Sequence, residues 1–86
     1  MIEITNLRQG AVLNHNHGVE TEGILTVRVE GISEAGQPVK VNGIPANMDG
    51  RRFWLPLELT KQFNNVTASV VTPYGGFSQD IVVVWD

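Results

Sequence analysis

Residues 39–59 read VKVNGIPANMDGRRFWLPLEL. Val39 and Val41 alternate with Lys40 and Asn42, and Phe53, Leu55 and Leu57 alternate with Arg52, Trp54, Pro56 and Glu58. A repeat of two puts the apolar set on one side of an extended chain and the polar set on the other, so both runs read as strands with one wet face. Between them stand Asn42-Gly43 and Asp49-Gly50, dipeptides that tolerate the positive φ of a tight reversal. The stretch therefore reads as a seam joining strands of a small β-fold. Pro56 has no N–H to give to a ladder, which predicts an edge strand or a peptide group turned to solvent.

The same period runs outward in both directions. In GILTVRVEG, Leu25, Val27 and Val29 alternate with Thr26, Arg28 and Glu30. In NVTASVV, Val66, Ala68 and Val70 form the inward set, and in the closing DIVVVWD we assign Ile81, Val83 and Trp85 inward. Turn signals separate the runs: RQG, NHNHG, SEAGQP, NG, MDG, FNN and PYGG. About seven short strands at roughly 8–12-residue spacing predict an all-β fold, an antiparallel sandwich or barrel. Only PLELTKQF, with Leu59 and Phe63 four apart, offers a helical turn.

Eighty-six residues make one domain with a thin core. There is no cysteine, so neither a disulfide nor a thiolate enters the chemistry. The net charge is −3 with six Lys and Arg, and Arg51-Arg52 is the single adjacent basic pair, so no nucleic-acid partner is expected. No apolar run approaches the roughly 20 residues that span a bilayer, and MIEITNLRQG lacks the basic-then-apolar order of a signal peptide. Neither membrane insertion nor a cofactor is expected.

The stretch from Val39 to Asp86 resembles the bacterial immunoglobulin-like domains of the glucodextranase B-domain type. The resemblance lies in the Val39-x-Val41-Asn42-Gly43 strand end, Phe53 and Leu57 in the next strand, and a polar segment with Asn64. It continues through the alternation of Val66, Ala68 and Val70, the turn at Gly75-Gly76, and a Val-rich last strand with Ile81 and Val83. ITNLRQGAVLNHN is similar to the opening strand of that family, whereas Phe63 stands where a Gly often precedes the Asn. The resemblance implies an immunoglobulin-like antiparallel β-sandwich over residues 1–86. It further implies a non-catalytic accessory or spacer module of a larger extracellular or envelope protein, commonly a polysaccharide hydrolase, lyase or deacetylase. Neighbouring domains of the parent protein are the implied partners. A carbohydrate-binding module and an adhesion domain of a surface or phage protein are the alternatives.

Three residues stand out as candidates for carbohydrate or partner binding. Parity turns Trp54 outward, where a flat indole can stack on a sugar ring, and Arg52 on the same face offers donors to hydroxyls or a carboxylate. Tyr74, in the PYGG turn, is an exposed aromatic of the same kind. The plainer reading of all three is packing against a neighbouring domain. His15 and His17 fall at i and i+2 and point the same way on a strand, a spacing that could hold a transition metal with Glu20 or Glu22 as third ligand. The plainer reading is a polar loop. Asn65-Val66-Thr67 matches a glycosylation acceptor but reads as the start of a strand. No motif supplies a nucleophile with its base or a phosphate loop, and the acidic residues fall on outer strand faces or in turns, so no catalysis is expected.

Overall fold

The computed structural model describes residues 2–14, 16–34, 37–60 and 62–85. Ten strands occur among them: β1 (Glu3–Ile4), β2 (Val12–Leu13), β3 (Val19–Thr21), β4 (Ile24–Ile32), β5 (Val39–Val41), β6 (Ile44–Pro45), β7 (Asn47–Asp49), β8 (Arg52–Leu59), β9 (Phe63–Thr72) and β10 (Gly75–Trp85). The first sheet has the order β1-β4-β8-β7, with β3 on the same edge of β4 as β1; the second has the order β2-β10-β9-β5-β6. Strands β1, β4, β8 and β7 facing β5, β9 and β10 reproduce the four-on-three arrangement of an immunoglobulin-like sandwich. The remaining short strands extend the sheet edges. One pairing is parallel, β2 along β10. The opening segment pairs first with one sheet and then with the other.

Register explains why the alternation closes into a core. Across β4 and β8, Leu25 faces Leu59, Val27 faces Leu57, Val29 faces Leu55 and Gly31 faces Phe53. Seven of these eight are buried apolar side chains. The eighth position must be glycine. A Cβ on Gly31 would fall on the Phe53 ring and on the Glu3 carbonyl oxygen, so the ring lies over the space a side chain would fill. In the second sheet Val66 faces Ile81, and Val39 faces Val70, which in turn faces Phe77. Ile81 and Val83 are buried as expected, and Trp85 is half-buried against the core. One amide in the inward row, Gln79, accepts a hydrogen bond at 2.6 Å from the Ile4 N–H of the facing sheet.

Turns follow local chemistry, with three departures from expectation. Asn42 and Gly43 both have positive φ, 51° and 80°, and join β5 to β6 in a two-residue loop. Asp49 is the last residue of β7, so the following loop is Gly50-Arg51 and not Asp49-Gly50. A hairpin at Glu22-Gly23, also with positive φ at both residues, joins β3 to β4 without any Asn or Asp signal. FNN is no turn: Phe63, Asn64 and Asn65 begin β9. No helix occurs among the described residues, and Leu59 ends β8. Ala35 and Gly36 of the SEAGQP turn lie outside the described residues.

Pro56 sits opposite Arg28 in β4, beyond the end of β7, which pairs only with Arg52, Phe53 and Trp54. Arg28 and Glu30 direct peptide groups toward β1, because the Asn6 amide bonds the Arg28 carbonyl and the Glu30 N–H. Alternation then aims the Pro56 nitrogen at the open side of β8, where no donor is missed. The strand is central at one end and an edge at the other.

Two substitutions test this packing by urea denaturation. Leu57→Ala should cost about 2–4 kcal/mol as a core cavity. Gly31→Ala, which overpacks the Phe53 ring, should cost about 1–3 kcal/mol.

Candidate functional site

The outer face of the first sheet is built from the residues that alternation excludes from the core. Trp54 in β8 is flanked by Glu30 of β4 and Asn47 of β7. Arg28 lies diagonally across, with its guanidinium carbon 5.3 Å from the centre of the Trp54 ring. At that distance the cation meets the negative face of the indole, a contact worth about 0.5–1 kcal/mol at an exposed site. The same guanidinium approaches the Glu30 carboxylate at 3.5 Å, so one arginine is held between a ring and a carboxylate on its own strand. An exposed pair of this kind contributes at most about 1 kcal/mol. Together the two contacts place Arg28 over the half-buried indole, with one face of the ring occupied.

Arg52 stands two residues before Trp54 on the same face, opposite Ile32 on one side and Asp49 on the other. It has no ion-pair partner among the described residues. A groove of about 550 Å³ runs between these strands and the end of β1, with Thr5, Arg28, Glu30, Asp49, Arg52 and Trp54 on its walls. The groove thus offers two guanidinium groups, two carboxylates, a hydroxyl and an indole edge. This array suits hydrogen bonding to a polyhydroxylated or mixed-charge surface. It is not a dry pocket around an acid–base pair.

The structure brings Trp54 and Arg52 to one groove and leaves Tyr74 elsewhere. Tyr74 is 94% exposed in the loop between β9 and β10, at the tip of the second sheet, beside a separate hollow lined by Pro73 and Phe77. His15 lies outside the described residues. His17 accepts a hydrogen bond at its Nδ1 from the Asn14 N–H, 3.0 Å away, and so closes its own loop. Among the described residues no three His, Cys, Asp or Glu side chains converge in a way that could hold a metal ion. Arg28 and Glu30 are the site residues that sequence reasoning missed. Both were legible as outward-facing, but only the register of β4 on β8 sets them beside Trp54. On the other sheet the exposed Val12 and Phe63 flank the half-buried Val84 across three strands.

Comparison of the chain with protein-family models found no match, and comparison with curated proteins found none either.

Replacing Arg28 with Met keeps an unbranched stem and removes the cation. Arg28→Met should lower stability by about 0.5–1 kcal/mol and make Trp54 fluorescence more readily quenched by iodide. An unchanged quenching constant would mean that the guanidinium does not cover the ring.

Proposed function

We propose that this chain is a non-catalytic immunoglobulin-like accessory module of a bacterial extracellular or envelope protein that processes polysaccharide. In this reading it docks against a neighbouring domain of that protein through the outer face around Trp54. One observation carries the reading: the half-buried indole of Trp54, with Arg28 stacked over it, sits among interleaved charges on an otherwise regular sheet face. Trp and Arg are the residue types that concentrate binding energy at protein interfaces, where a rigid ring fills a partner's hollow and the surrounding polar groups exclude water. The likeness of the sequence to glucodextranase B-type domains supports the choice of parent. Such modules space or orient a catalytic neighbour and need no chemistry of their own.

A second reading follows from the groove itself. Its polar walls and aromatic edge also fit a glycan, with Arg52, which has no ion-pair partner among the described residues, as the cation for a hydroxyl or a uronate carboxylate. Because Arg28 already lies against the ring, a sugar would stack on the opposite face of the indole or displace the guanidinium.

The two readings separate experimentally. In the polypeptide that carries the module, Trp54→Ala with Arg52→Glu should lower the melting temperature of the adjoining domain by about 2–4 °C, the shift that 1 kcal/mol produces in a domain of 150–250 residues. Identical transitions in parent and variant would refute docking through this face. For the glycan reading, the isolated module should be retarded in polysaccharide affinity gels and Trp54→Ala should abolish the effect. No retardation on neutral or uronate-containing polymers would dispose of it.

A further inference from the structure

Most edges of the two sheets are capped by a carboxamide, short, or interrupted by proline. Asn6 fills the gap between β1 and β3 along β4, bonding the Arg28 carbonyl at 2.6 Å and the Glu30 N–H at 2.8 Å. Asn42 extends β5 along β9 in the same way, receiving the Thr67 N–H and donating to the Asn65 carbonyl. On β6 the edge is two residues long and ends in Pro45; on β8 the open side carries Pro56. Strands β3 and β7 expose edges of three residues each.

One edge differs. On β10 the peptide groups of Val82 and Val84 are taken by the opening segment: Gly10 donates to the Val82 carbonyl, Gln9 accepts the Val82 N–H, and Ala11 accepts the Val84 N–H. Even-numbered residues of β10 therefore aim N–H and C=O away from β9. Below Val82 the pattern continues through Asp80, Ser78 and Gly76, whose outward peptide groups have no backbone partner among the described residues. This run of five residues, Gly76 to Asp80, carries no proline and no lysine. Those are the residues that commonly blunt an edge. Beside it are two exposed aromatics, Phe77 (45%) and Tyr74.

We propose that this edge pairs with the same edge of a second copy, antiparallel about a two-fold axis at Ser78, joining two second sheets into one continuous sheet. An isologous contact requires a patch complementary to itself, and the sequence meets that condition position by position. Ser78 faces Ser78 of the other copy, and the two hydroxyls can hydrogen-bond. Asp80 faces Gly76, so the one carboxylate of the edge meets a residue without a side chain and never its own twin. Phe77 faces Gln79 on the opposite side of the sheet, which sets the two Phe77 rings on a diagonal with roughly 7–8 Å between backbone positions, within reach of each other. Length matches as well. With Ser78 at the centre, Val82 of one copy stands opposite Tyr74 of the other, so the new ladder stops where the partner's turn meets Gln9 and Gly10. This contact leaves the Trp54 face untouched and does not depend on its role. A strand-to-strand contact of this length is small, which predicts a weak, concentration-dependent dimer.

Sedimentation equilibrium on the isolated module provides the test. The apparent mass should rise from 9.4 kDa toward twice that value between about 10 μM and 1 mM, the range of a weak interface. In the same range the Ser78 and Asp80 amides should gain protection from hydrogen exchange. Ser78→Lys and Ser78→Glu each place like charges on the axis and should each be monomeric, while an equimolar mixture of the two should dimerise again. A wild-type chain that stays monomeric throughout overturns the proposal. So do variants that dimerise like the parent, or a mixture that fails to recover, since either result means that residue 78 does not face itself.

Discussion

Peptide groups at the rims of the two sheets set the constraint under which this small sandwich is built. Among the described residues, sixteen buried apolar side chains fill the space between the layers. Most of them are valines and leucines placed by simple alternation. The core leaves the rims unsolved, because an 86-residue chain cannot spend long strands on every edge. Its first strand is two residues long and its third is three, yet both lie along the nine-residue β4. A carboxamide carries the same donor and acceptor as a peptide, so one Asn or Gln can stand in for a missing strand residue. Asn6 does this for β4, Asn42 for β9 and Gln9 for β10. Gln79 uses the same group differently, tying the Ile4 N–H of one sheet to the other.

Alternation determines what reaches the surface as well as what fills the core. On β8 it sends Phe53 in and Trp54 out, and on β4 it sends Arg28 and Glu30 out beside Val27 and Val29. A slip of one residue between β8 and β4 would turn Trp54 toward the core side of β4. At the observed register the indole has Arg28 on a diagonal and Glu30 directly opposite, and Arg28 meets both the ring and the Glu30 carboxylate. A rigid, partly covered aromatic on a flat sheet costs little entropy when a partner arrives, because few rotamers remain to be frozen. That property connects the packing of β4 on β8 to the docking role proposed for this face.

Much of the fold was legible in the sequence because the strongest signal, period two, is also the one the core enforces. Every inward assignment from Leu25 to Val83 corresponds to a buried residue. Pairing was less legible. Nothing in GILTVRVEG states that it lies beside RRFWLPLEL with Arg28 opposite Pro56, and so the Arg28 partner of Trp54 was missed while Trp54 itself was not. Turn chemistry misled at both ends of its range. FNN looks like a reversal by composition, yet Asn65 lends its carbonyl to Asn42 and stays in the strand. Glu22-Gly23 reverses the chain with a residue seldom found at positive φ, which glycine beside it and the short β3 ladder make tolerable. Tyr74 lies apart from Trp54 and Arg52 for a topological reason: the last hairpin belongs to the other sheet.

The rim and the face lie on different layers, and that separation has a functional consequence. Pairing along β10 lengthens the second sheet sideways, whereas Trp54 and its charged neighbours project from the far side of the first. A two-fold assembly would hold two such faces outward at a fixed spacing and leave both open. A domain or polymer that meets one face weakly then meets the second at a high local concentration, so modest contacts add up without any deep pocket. A shallow groove suffices for a module of this size because the sheet supplies rigidity, and an edge can supply number.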